Sequence, residues 1–366
     1  MFIILTIFSF LCNSETIGVL HILRNASIHH NAKCLDGSPP GYYLSKGTFD
    51  GINKWFIYHM GGAWCTDIKD CYDRSKTVFG STNIWWPRPF YDLSPWGDSP
   101  GYPGGYFSED PNINPLMWNW NKVFLIYCDG GSFSGNNLTK TIYNDTEIFF
   151  RGFLNLQSYH RDLTEKYNFL SATDVVISGA SAGGLATFIH LDWWKSQTGI
   201  NTKVIGLPDS GFFPDYDRML YSTRMRWVFN QMNCTSGVNQ KCIESNPIHS
   251  NCFFAEYNIP YIYTPFFAVQ SRFDSYQISV ELGSNPNNII EINDYGDMFF
   301  KLFVSTILKK NVNGVFLDSC YHHSMSWNII INDTNVGIAF KNFYEYGYPR
   351  SYVQKNSYVC SKCCNN

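Results

Sequence analysis

The sequence predicts an α/β fold, with a mostly parallel sheet and helices on both of its faces. Three observations predict it. Short continuous apolar runs, rich in β-branched and aromatic residues, recur along the chain. Segments with helical periodicity lie between several of them. One strand-to-helix junction reads Gly179-Ala180-Ser181-Ala182-Gly183. Strands buried on both faces read as unbroken apolar runs, and parallel neighbours need a crossover that is usually a helix.

The strands expected from such runs are Lys54–Met60, Val123–Tyr127, Asp174–Ser178, Lys203–Leu207, Tyr263–Gln270 and Gly314–Leu317. Helical periodicity predicts Ile148–Tyr167, with Phe149, Leu154 and Leu156 among its apolar positions, then Gly184–Lys195, Asp215–Gln231, Asp297–Lys310 and Val336–Tyr346. The stretch Val78–Tyr106 is rich in Pro, Gly, Trp and Tyr, which predicts an irregular loop over one face. There is no internal repeat, low-complexity linker or sharp shift of composition. One domain over residues 15–366 is therefore expected, after a leader at 1–14.

Bulk properties narrow the function classes. Hydrophobic residues make up 45% of the 366, enough for a sizeable core. The formal net charge is −3 and no Lys/Arg block exceeds a pair, which argues against nucleic-acid binding. The apolar run from Met1 to Cys12, followed by small residues at Cys12-Asn13-Ser14, predicts a secretory signal peptide, although no Lys or Arg precedes the run. No other run is long enough for a membrane span. There are twelve cysteines, a density that suits disulfides in an oxidising compartment. Eleven remain if Cys12 leaves with the leader, so at least one thiol is left free or intermolecular. Asn25, Asn137, Asn144, Asn233 and Asn332 are glycosylation acceptors by pattern.

A G-x-S-x-G between a strand and a helix is the nucleophile elbow of the α/β-hydrolase arrangement, a tight turn that lifts the serine oxygen above the sheet. Ser181 is the candidate nucleophile, against the alternative of an inert serine in a glycine-rich turn. A serine hydroxyl needs a base, and the base needs an orienting acid. In this fold the chain order is Ser, acid, His. Asp209 and Asp274 both follow β-like runs. Asp274 is preferred because the acid comes from a later strand, and Asp209 suits a cap or turn. Among the downstream histidines, His190 lies inside the elbow helix and His249 in a polar loop. His322 and His323 follow the run that begins at Gly314, where a base is expected. The developing oxyanion needs N–H donors. Ala182, next to the nucleophile, supplies one, and the Gly61-Gly62-Ala63 turn after the Lys54 strand supplies Gly62 and Ala63.

Several blocks in order carry a family resemblance. They are Cys34-Leu35-Asp36-Gly37-Ser38-Pro39-Pro40, Gly61-Gly62-Ala63-Trp64-Cys65, Asn114-Pro115 with Asn119-Trp120-Asn121, and Tyr127-Cys128-Asp129-Gly130-Gly131-Ser132-Phe133. Phe150-Arg151-Gly152, the elbow, and Asp209-Ser210-Gly211 continue them. Over about residues 30–325 the chain resembles the pectin acetylesterase/Notum family of secreted serine carboxylesterases. The resemblance implies a triad of Ser181, Asp274 and His323, choosing His323 over His322 through its Ser-Cys-x-x-His pattern. It implies oxyanion donors at Gly62, Ala63 and Ala182. It also implies disulfides Cys65–Cys71, Cys34–Cys128, and Cys320 with one of Cys360, Cys363 or Cys364. A metal clip in that cysteine-rich tail is the alternative. Ala63 stands where plant-type members often carry glycine, and Ser324 where they carry cysteine. Neither change removes a catalytic group. Both leave the substrate open.

The expected activity is hydrolysis of an O-acyl ester through an acyl-enzyme, with no metal or organic cofactor. The partner is an acylated polysaccharide or glycan, or a lipidated protein, met by a monomer. A binding protein that keeps the fold without chemistry and a serine peptidase are the competing classes.

Overall fold

The computed structural model describes residues 16–85, 87–93, 105–216, 220–324, 327–346, 351–360 and 363–364. The expected leader at 1–14, and residues 86 and 94–104 of the expected loop, lie outside the described residues. In chain order the strands are β1 (Ile17–Ile22), β2 (Gly41–Ser45), β3 (Lys54–His59), β4 (Phe90–Asp92), β5 (Asn121–Leu125), β6 (Asn137–Tyr143) and β7 (Thr146–Phe150). They continue with β8 (Asp174–Ala180), β9 (Lys203–Asp209), β10 (Phe267–Ser271), β11 (Gly314–Asp318), β12 (Ile330–Ile331), β13 (Thr334–Asn335) and β14 (Ser351–Val353).

One ten-stranded sheet runs β14-β11-β10-β9-β8-β3-β5-β2-β1-β4. From β14 to β5 every pairing is parallel, and from β5 to β4 every pairing is antiparallel. All six expected strands are in the parallel part. Successive strand residues face opposite sides of a sheet. Trp55, Phe56, Ile57 and Tyr58 of β3 are all buried, so helices cover both faces, as the unbroken apolar runs predict.

The structure corrects several boundaries. The expected helix Ile148–Tyr167 begins only at Gly152. Its first residues belong to β7, which pairs antiparallel with β6. Asn144 and Asp145 turn that hairpin with φ of 47° and 55°, a left-handed conformation that Asn and Asp tolerate better than most residues. The helix expected at Asp297–Lys310 runs Ile289–Ile307, and the Asn288 side chain caps it by accepting from the Glu291 amide. The helix expected from Asp215 runs Leu220–Gln231. The expected loop Val78–Tyr106 contains the short strand β4, which pairs with β1.

Among the described residues five disulfides tie the chain: Cys34–Cys128, Cys65–Cys71, Cys242–Cys252, Cys320–Cys364 and Cys360–Cys363. All three tail cysteines are consumed, which leaves the metal-clip alternative without thiolates. Cys234 is the one free cysteine among the described residues. It is fully buried, and burial pushes its thiol pKa well up, which leaves it unreactive.

Candidate active site

The carboxyl ends of β3, β8, β10 and β11 converge on one cavity of about 350 Å³. Ser181 sits between the end of β8 and the helix Ala182–Ser196 with φ 58° and ψ −123°. A non-glycine residue rarely holds such a backbone, and here the surroundings enforce it. The Ser181 amide donates to the Asp209 carbonyl at 3.0 Å. A Cβ on Gly183 would lie 2.0 Å from the His59 carbonyl oxygen, so only glycine lets the helix start this close to β3.

Asp274 follows β10 and is fully buried. Both of its oxygens stand 2.8 Å from His323 Nδ1. The Tyr276 and Gln277 amides donate to its Oδ1 at 3.0 Å, and Gln270 Nε2 donates to its Oδ2 at 3.1 Å. A carboxylate held this way is fixed in orientation and keeps the Nδ1–H tautomer of the imidazole. His323 Nε2 is then a lone-pair acceptor. It is buried and has no hydrogen-bond partner among the described residues, and its ring lines the same cavity as Ser181. The Tyr276 ring lies against that imidazole with centroids 5.1 Å apart. The loop carrying His323 is pinned twice: the Ser275 amide donates to the His322 carbonyl at 3.0 Å, and the Ser324 amide donates to Ser210 Oγ at 2.9 Å.

The other candidates go elsewhere. Asp209 is buried at the end of β9, where it accepts from Tyr106 Oη at 3.0 Å and Ser210 Oγ at 2.9 Å, and burial raises its pKa. His322 turns away from His323 and pairs with Asp318 at 3.0 Å, while its Nδ1 stands 2.9 Å from the Ser324 carbonyl. Both ring nitrogens face acceptors, so both carry protons. Burial, the largest single influence, opposes that charge, but the Asp318 carboxylate, the Ser324 carbonyl and Asp209 together outweigh it and raise the pKa to about 9. His190 is buried in the elbow helix, and its Nε2 stands 3.1 Å from the Ser132 carbonyl. His249 is exposed.

Gly62 and Ala63 follow β3 with φ of 141° and 54°. With Gly61 they line the same cavity as Tyr276 and His323. Ala182 opens the elbow helix, where the first amides have no partner within the helix. Beneath this turn His59 is wholly buried, accepting from Trp194 Nε1 at 3.2 Å and donating through Nδ1 to the Ser178 carbonyl at 2.9 Å. Burial and the nearby His190 push its pKa down to about 3, so it is a neutral packing element. Tyr58, Phe79 and Tyr276 complete the walls, which are mainly apolar. Sequence reasoning missed Tyr276 and Phe79. Tyr276 stands two residues from Asp274, a spacing that offered a signal. Phe79 lay in a stretch read only as loop.

A parallel sheet with a strand–turn–helix serine at its carboxyl edge defines an α/β-hydrolase-like protein. A family model described as Pectinacetylesterase matches residues 12–365. The chain is 29% identical to Pectin acetylesterase 5 of Arabidopsis thaliana over 94% of this chain and 84% of that protein. It is 30% identical to Pectin acetylesterase 4 of the same plant over 84% of this chain and 77% of that one. It is also 30% identical to Palmitoleoyl-protein carboxylesterase notum1a of Danio rerio, over 72% of this chain but 51% of that protein. The chain therefore belongs to the pectinacetylesterase family, and it is a carboxylic ester hydrolase.

Proposed function

We propose that the chain is a secreted serine carboxylesterase in which Ser181 attacks the ester carbonyl. His323 takes the serine proton and returns it to the leaving alcohol. Asp274 holds the imidazole tautomer and stabilises the cation that forms. The amides of Gly62, Ala63 and Ala182 receive the oxyanion. Water, activated by the same imidazole, then releases the acyl group. One observation carries this reading: a histidine fixed by a buried carboxylate presents an Nε2 without a partner among the described residues, in a cavity it shares with an elbow serine.

The substrate class follows from relatives named for pectin acetyl esters, which makes an acetylated polysaccharide the first reading. The second is a longer acyl ester, as on a lipidated protein. A mainly apolar cavity of about 350 Å³ favours it, since an acetyl group needs less room. Five disulfides support export. Asn25, Asn144, Asn233 and Asn332 are exposed, as glycan attachment requires, and Asn137 is half-buried. The acting unit is proposed as a single chain.

Hydrolysis rates of p-nitrophenyl esters from acetyl to decanoyl test the reading, with Ser181→Ala alongside. The expected result is loss of hydrolysis and of fluorophosphonate labelling in the variant, with its fold intact. Retained hydrolysis overturns the assignment. No labelling of the unmodified protein points to a binding protein, and cleavage of amide substrates at comparable rates points to a peptidase.

A further inference from the structure

The two candidate oxyanion loops leave different strands, β3 and β8, and no covalent bond joins them. Their amides must nevertheless converge on one oxygen, each at about 2.7–3.1 Å. A fully buried serine outside the triad touches both. Ser132 Oγ donates to the Ala182 carbonyl at 2.8 Å. The Ser132 amide donates to Tyr127 Oη at 3.1 Å, and Tyr127 Oη donates onward to the Ala63 carbonyl at 2.8 Å. Trp64 Nε1, one residue past Ala63, donates to Ser132 Oγ at 2.7 Å. The Ser132 carbonyl accepts from Ser134 Oγ at 3.1 Å and faces His190 Nε2 at 3.1 Å. Every polar group of Ser132 is thus engaged.

The clamp is also rigid. Ser132 and Phe133 both hold left-handed backbone, with φ of 49° and 60°, a conformation that costs free energy and persists only where the surroundings impose it. The Tyr127 ring is packed between Phe133, with centroids 5.3 Å apart, and the Arg74 guanidinium, 5.0 Å from its centroid. Arg74 also lies 5.1 Å over the ring of Phe79, which lines the cavity.

We propose that Ser132, with Tyr127, is a positioning residue that sets the separation of the Ala63 and Ala182 oxyanion donors. The inference rests on the triad reading above. Its action falls on the transition state, because the hole is complementary to the tetrahedral oxyanion and not to the ground-state carbonyl.

The test compares a p-nitrophenyl ester with its thionoester, in which sulfur replaces the carbonyl oxygen. Sulfur is larger and a weaker acceptor, so the thionoester gains little from a hole spaced for oxygen. Ser132→Ala and Tyr127→Phe are expected to lower kcat for the oxygen ester roughly 10–100-fold with KM nearly unchanged. The thionoester rate is expected to move far less, so the oxygen-to-sulfur preference drops about tenfold or more. Equal losses on both esters overturn the clamp, since a purely structural role lowers both alike. If Ser132→Ala does not fold, Tyr127→Phe, which removes a single oxygen, decides the question by the same ratio. Ser181→Ala separates the two failures. Hydrolysis retained there sinks the triad and the clamp together, whereas hydrolysis lost there with an unmoved ratio sinks the clamp alone.

Discussion

Asp274 meets His323 Nδ1 with both carboxylate oxygens at 2.8 Å, and three further donors hold the carboxylate from behind. An amide in its place presents N–H toward the ring and selects the wrong tautomer. Asp274→Asn is therefore expected to lower kcat by about 10³–10⁴-fold with the fold intact by circular dichroism. A loss under tenfold would remove Asp274 from the triad.

His322 gives the pH dependence of stability a specific sign. Its folded pKa is raised, to about 9, above the ordinary histidine value of 6.5. The protonated His322–Asp318 pair thus stabilises fully below pH 6.5, and that contribution is lost as pH rises through about 9. The side chain is 21% exposed, which trims the contribution to roughly 2–3 kcal/mol at most. Melting temperatures of the unmodified protein and His322→Asn, followed from pH 6 to 10, are expected to converge toward the alkaline end. A constant gap would refute the charged pair.

The Cys65–Cys71 bridge closes a short loop two residues past Ala63. Chain entropy gives a loop of that size about 2 kcal/mol, and a bridge as long as Cys34–Cys128 about 4–5 kcal/mol. Replacing Cys65 and Cys71 with alanine is expected to lower stability by about 2 kcal/mol in urea titration and to reduce kcat, because the proposed oxyanion turn loses its tether. Unchanged kcat would show that the turn holds itself.

Phe79 packs where a Cβ on Gly62 would stand 2.6 Å from its ring, and it walls the cavity. Phe79→Ala is expected to raise kcat/KM for decanoyl relative to acetyl esters by several-fold, since each methylene given apolar room gains about 0.8 kcal/mol at most. An unchanged ratio would place the acyl chain elsewhere.

The parallel strands were legible because residues buried on both faces leave unbroken apolar runs, as in Val175-Val176-Ile177. The antiparallel flank was not. Ile17–Ile22 lies a few residues after the apolar run Met1–Cys12 and is partly exposed, so its pattern blurs into what precedes it. Gly41–Ser45 is short and follows two prolines, which read as a turn. The β6–β7 hairpin carried a signal in Asn144-Asp145, but Ile148, Phe149 and Phe150 fit the periodicity of the helix behind them. The proposed triad of Ser181, Asp274 and His323 could be nominated from the elbow motif, the chain order and, for His323 over His322, the family resemblance. The positioning role proposed for Ser132 and Tyr127 was not legible, because their shared block carries the family resemblance but shows no contact until folding brings residues 63, 127, 132 and 182 together.

The backbone of Ser181, at φ 58° and ψ −123°, has a consequence for durability. A left-handed residue carrying a side chain gives up about 1–3 kcal/mol of folding free energy, which on the proposed triad reading keeps the nucleophile's hydroxyl poised. Glycine pays no such penalty there, so the inactive Ser181→Gly form should outlast the working enzyme on heating. On the proposed reading, robustness and reactivity compete for the same two torsion angles.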